Sequence, residues 1–167
     1  MSTGFKVLVL LHILCVVGGF GSLAYNGLYL SLAQRRAAGG TSAVLEINKM
    51  VSGLGELLMY AALLFGIGAV GASQSHVKFG DAWVSAALAV FVVDIAVLHG
   101  WLRPNHRRYS EVVGRLEKPL AEGETLESRE GEVGVLRSLE RRVGIGWGAF
   151  NLLVIGALYL MVFRPGN

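Results

Sequence analysis

Apolar residues do not alternate with polar ones along this chain. They gather in four long runs, at 5–32, 43–72, 82–102 and 144–163. Each run is about 20 residues or longer, the length a helix rising about 1.5 Å per residue needs to cross a hydrocarbon core of about 30 Å. Barrel strands would alternate in segments of about 9–11 residues. Lipid accepts only structures that satisfy their own backbone polar groups, so the runs read as helices. The pattern predicts an all-α, polytopic membrane protein. A four-helix transmembrane bundle spans 1–167 as a single domain, and 103–143 is the one substantial loop.

The polar residues inside the runs fall into stripes. In the first, His12, Cys15, Gly19, Ser22 and Asn26 recur at spacings of three and four, which places them on one helix face. Small and hydrogen-bonding residues mark the helix-facing side in a membrane, because lipid supplies no hydrophobic force between helices. In the second run, Glu46, Lys49, Gly53, Glu56 and Tyr60 follow the same spacing. Glu46 and Lys49 can pair at i, i+3 near the helix end. Glu56 lies deeper, where a carboxyl group is either neutral and hydrogen-bonded or has a cation beside it.

The third run carries Asp94 and His99 in its apolar part. Asp94 falls near the middle, at the level of Glu56, so that the two acids could form a pair. His99 lies nearer the far end, close to the level of Asn26, Lys49 and Asn151, and lines up with Arg103 and His106. Five residues turn a helix through about 140°, so Asp94 and His99 need not share a partner. The intramembrane polar set is therefore Asn26, Glu46, Lys49, Glu56, Asp94 and Asn151. Trp83, Trp101 and Trp147 sit near run ends, where interfacial anchors are expected.

Composition agrees with the pattern. Hydrophobic residues make up 53% of the chain and charged ones 16%, and the mean hydropathy is +0.55; soluble domains carry roughly 25% charged residues. The lone Cys15 has no partner for an internal disulfide. The net charge of +3 reflects placement around a membrane rather than a nucleic-acid surface. Arg35 and Arg36 lie in the first loop, and Arg103, Arg107, Arg108, Arg115, Lys118, Arg129, Arg137 and Arg141 in the third. The other side has only Lys6, Lys78 and Arg164. Basic residues accumulate on the cytoplasmic side, which puts both termini outside. The first run continues to Arg35 without a break, so it reads as a span rather than a cleaved signal. Leu126, Val133, Leu136 and Leu139 among the charges of the long loop suggest an amphipathic helix lying at the headgroups.

No phosphate-binding glycine loop, zinc signature or elbow serine is present, so no catalytic residues and no metal site are assigned. A buried imidazole is a common haem or metal ligand, which makes His12 and His99 candidate cofactor-binding residues. Their depths place them near opposite faces, too far apart for one haem. No CxxCH occurs, which excludes covalent c-type haem.

The stretches "LLHILCVVGGFGSL" and "LHGWLRPNHRRY" resemble a family of bacterial four-span membrane proteins, domain of unknown function 2269. More distantly they are similar to HemJ-type protoporphyrinogen oxidases and CopD-type copper-resistance membrane proteins. The first resemblance implies a bacterial inner-membrane protein and no particular chemistry. The HemJ type associates its first-helix histidine with haem, which carries over to His12. Its lysine early in the later helix is replaced here by Ser85, Ala86, Ala87 and Leu88.

The expectation is a non-catalytic bundle or accessory subunit of a membrane complex, partnered by the lipid bilayer and by other subunits or a second copy, not by nucleic acid. The alternatives are a haem- or metal-binding redox protein using His12, with haem b the candidate cofactor, and a proton-coupled carrier using Glu56 and Asp94.

Overall fold

A computed structural model describes residues 2–36, 41–74, 76–116, 118 and 126–165, with side chains for all of these except 24, 26–36, 41–46 and 126–128. Nearly all the described residues are helical, and none is in a strand. In chain order the elements are α1 (Thr3–Arg36), α2 (Thr41–Gly71), α3 (Ala82–Val97), a π turn (Leu98–Leu102), α4 (Arg103–Leu116) and α5 (Leu126–Phe163). Four helices are long and apolar enough to cross a membrane. The outward faces are apolar too: Leu10, Leu14, Leu57, Leu64, Leu152 and Val162 all stand exposed. An apolar exterior on helices that satisfy their own backbone groups is the arrangement lipid requires. This is an all-α, multi-pass membrane bundle.

The helices pair as two antiparallel hairpins. In the first, α1 and α2 meet through glycines. A Cβ on Gly19 would lie 2.8 Å from Met59 N and 3.1 Å from Gly55 O. Lower down, Gly66 faces the His12 ring and Gly68 faces Leu8. With no hydrophobic drive in lipid, this backbone-to-backbone approach supplies the dispersion contact that holds the pair. The first-run stripe of Gly19 and Ser22 is confirmed as the packing face.

The second hairpin is longer than the sequence pattern indicates. The third candidate span runs over Ala82–Leu116 and the fourth over Arg129–Phe163, 35 residues each. At about 1.5 Å per residue that is roughly 50 Å, well beyond a hydrocarbon core of about 30 Å. The excess forms an extension in which Tyr109, Val112 and Val113 of α4 bury against Leu139 of α5, with Leu116 and Leu136 packed around them. Arg115 Nε donates to Glu132 Oε1 at 2.8 Å. The amphipathic segment expected at the headgroups is therefore the first part of α5; Leu136 and Leu139 of its stripe pack on α4, Val133 stays exposed, and the Leu126 side chain lies outside the described ones.

The two hairpins meet at mid-depth, where Leu23, Met59, Leu98, Leu102, Trp147 and Phe150 make a common core. Phe20 of α1 stacks on Phe150 of α5 with ring centroids 6.0 Å apart. Trp147, expected as an interfacial anchor, is buried here, edge-on to Phe150. Trp101 stays half-exposed and ties the π turn to α5 by donating Nε1–H to Arg142 O at 3.0 Å. Below, the end carrying residues 2 and 165 is called the terminal end, and the opposite one the hairpin end.

Candidate functional site: a polar clamp and an apolar cleft

Pro104 shapes the first of two polar sites. It lacks an N–H, and its ring crowds the carbonyl four residues back. The helix absorbs this by widening over Leu98–Leu102, where Arg103 N–H reaches Leu98 O, and Asn105 Nδ2 donates to Trp101 O at 2.7 Å. The helix thus continues through Pro104 by way of a π turn, a feature frequent at functional sites.

His99 sits in that turn, and three residues converge on it. Arg103 Nη1 donates to His99 Nδ1 at 3.2 Å. A guanidinium can only donate, so Nδ1 is the acceptor and the ring proton is on Nε2. That N–H faces Tyr60 Oη at 2.7 Å and Glu56 Oε1 at 3.3 Å. Tyr60 Oη donates onward to Glu56 Oε1 at 3.5 Å, and Arg103 Nη2 lies 3.5 Å from Glu56 Oε2. Glu56 therefore does have a cation beside it. These contacts form a clamp from α2 to the π turn and α4, and Asn48 extends it by donating Nδ2–H to His106 Nε2 at 3.2 Å.

The clamp revises several placements. His99 meets Glu56 and Tyr60, not Asn151, which instead donates to Trp147 O of its own helix at 2.9 Å. Lys49 is exposed, and a Cβ on Gly53 would meet open space, so neither lies on the packing face of α2. Asn26 and Glu46 are among the side chains outside the described residues. The face that does pack carries Asn48, Ser52, Gly55, Met59, Ala62, Gly66 and Ala69, again at alternating four and three. Asn48, only 2% exposed, was missed by sequence reasoning, although this run of small and polar residues is a readable signal.

The second site lies toward the terminal end. Between the hairpins α2 and α3 stand apart, leaving a cleft of about 430 Å³ lined from α1, α2, α3 and α5. Its walls are aliphatic and aromatic, with Phe5, Val16, Leu63, Phe79 and Phe91 among them. Phe20, Leu63, Asp94 and Val154 are the lining residues nearest mid-depth on their helices, so they close its floor against the common core.

Three polar groups face this apolar space. His12 Nδ1 donates to Ala62 O at 2.7 Å; a carbonyl can only accept, which leaves Nε2 as a free acceptor on the neutral ring. Asp94 is completely buried, and neither carboxyl oxygen has a hydrogen-bond partner. Trp83 Nε1 is likewise buried and unpartnered. At the mouth, α5 ends with Arg164 in the left-handed region, φ 44°, and its guanidinium lies 5.2 Å from the Trp83 ring centroid.

The two sites are separate. His12 packs on Gly66 and His99 bonds Glu56, ten residues and so about 15 Å away along α2. One iron could not bind both imidazoles, each of which must approach to about 2 Å. Glu56 and Asp94 are not paired either, since Glu56 is engaged by the clamp and Asp94 faces the cleft. Among the described residues no group of three His, Cys, Asp or Glu side chains could hold a metal ion. The chain matches no protein-family profile, no curated protein and no solved structure.

Proposed function

We propose that this chain is a non-catalytic membrane protein that binds a hydrophobic ligand in the cleft between its two hairpins. The carrying observation is the cleft itself: about 430 Å³ of apolar and aromatic space in which a wholly buried acid has no partner. Binding sites for small molecules have this make-up, roughly 300–1,000 Å³ with a few polar groups fixing orientation. The clamp joins the hairpins beyond the floor and leaves the terminal half open. The basic side chains of the hairpin extension support a cytoplasmic location for that end, with both termini outside a bacterial inner membrane.

Native mass spectrometry of the purified protein tests the reading. A stoichiometric apolar molecule should accompany the wild type and be absent from Ala157→Trp, which fills the cleft wall. Identical spectra for both would refute it.

One observation favours a second reading, haem binding through His12. The Nδ1–H bond to the Ala62 carbonyl fixes the ring and presents Nε2 to the cleft, as second-shell hydrogen bonds do for ligating histidines. His12 would hold the group, and haem would supply redox chemistry there. A Soret band present in wild type and lost in His12→Ala supports this reading, and a colourless protein from haem-replete cells removes it.

A further inference from the structure

Asp94 is the least explained group in the molecule. Buried polar atoms in native proteins are almost always hydrogen-bonded, and a charged one inside a membrane normally has a partner. Here both oxygens lack one while the residue is 0% exposed. The helix turns around it offer no cation: the nearest basic side chains of its own helix are His99 and Arg103, and both are committed to Glu56. Asp94 is among the residues lining the cleft, so a partner can approach it from outside the chain.

Resting on the cleft reading above, we infer that the cleft binds a lipophilic organic ammonium ion, its charged nitrogen against Asp94 and its apolar body between the hairpins. Three observations converge on this class. The acid supplies the one carboxylate on the floor, and an N–H⁺ donor would satisfy an oxygen through a charge-assisted hydrogen bond. Phe20 and Phe91 also lie near the floor, and aromatic faces attract cations when water is excluded. His12 also lines the cleft, with Nδ1 held on the Ala62 carbonyl. Among the described residues Arg164 is the only Lys or Arg lining the cleft, and it sits at the mouth on Trp83. Trp83 is eleven residues from Asp94, about 16 Å along α3, so Arg164 does not compete for the floor.

The test compares 1-naphthylmethylammonium with 1-naphthylmethanol, equal in ring and shape but different in charge, by equilibrium dialysis against the full chain in lipid nanodiscs, with empty discs as the baseline. The ammonium should bind wild type roughly tenfold or more tighter than the alcohol, the range expected for a hydrogen bond to a charged group. Asp94→Asn should remove that preference, bringing the ammonium's affinity to that of the alcohol. Ala157→Trp should abolish binding of both. Equal affinities in wild type would overturn the ammonium inference and leave the cleft reading standing. No binding of either probe above empty discs would overturn both. Ammonium binding that survives Ala157→Trp would place it elsewhere and refute the inference, whether or not Asp94→Asn folds.

Discussion

Replacing Gly19 with alanine should push the first hairpin apart. The added Cβ would lie 2.8 Å from Met59 N, 3.1 Å from Gly55 O and 3.1 Å from Leu58 C. All three are backbone atoms of α2, so no side-chain rotation can relieve the contact. Ordinary carbon contacts begin at about 3.5 Å, so the helices must separate by roughly half an ångström or more, weakening dispersion contacts along the interface. Overpacking of this kind costs about 1–3 kcal/mol. The substitution also has an opposing effect, since alanine exceeds glycine in helix propensity by about 1 kcal/mol. Gly53→Ala isolates that second effect, because its Cβ would have nothing within 4 Å on the same helix pair. Denaturation of both variants in mixed micelles should therefore place Gly19→Ala about 1–3 kcal/mol below Gly53→Ala. Equal stabilities would refute the crossing geometry.

The clamp and the hairpin extension yield further predictions. Glu56 is 19% exposed and Arg103 64%, so Arg103 can find water or headgroups when released whereas the groups around Glu56 cannot. Glu56→Ala should cost about 1–3 kcal/mol and Arg103→Ala at most about 1 kcal/mol; equal losses in the same denaturation assay would count against the clamp. Gly66→Ala would bring its Cβ to 3.0 Å from His12 Cε1 and Nδ1 and shift the ring off the Ala62 carbonyl. The His12 Nδ1–H signal seen by NMR should then move, and an unchanged spectrum would contradict the observed contact. Tyr109→Ala removes a buried aromatic from the extension, a loss of about 3–5 kcal/mol in packing. Hydrogen exchange should accelerate in 106–116 and 129–143 and remain slow in α1 and α2; exchange unchanged in the extension would show that its core is not cooperative.

The cleft leads to a different kind of experiment from the clamp. Its polar groups point at space rather than at one another, so their roles are read from ligands and not from stability alone. Glu56, Tyr60, His99 and Arg103 of the clamp bond one another, and its loss is read as stability. His12 and His99, equivalent candidates as isolated residues, separate on this criterion: one retains a free ring nitrogen facing the cleft and the other is engaged at both nitrogens.

The spans were legible in the sequence because a bilayer fixes them locally. Helix length follows from hydrocarbon thickness, and every backbone group must be satisfied within its own helix, so an apolar run specifies its structure without reference to the rest of the chain. The glycine and serine stripe of α1 was legible for the same reason. The extension was not, because α4 and the first part of α5 are too charged to read as buried until each covers the other. The partner of Glu56 was legible as a type, a nearby cation, but not as Arg103, which is 47 positions away in the sequence. The face of α2 was misassigned because two stripes compete there, and only the close approach of α1 at Gly55 selects the one carrying Asn48. Asp94 shows the division most sharply: its burial follows from its place in the third run, but its lack of a partner depends on α2 and α3 standing apart, a long-range outcome of where the hairpins touch.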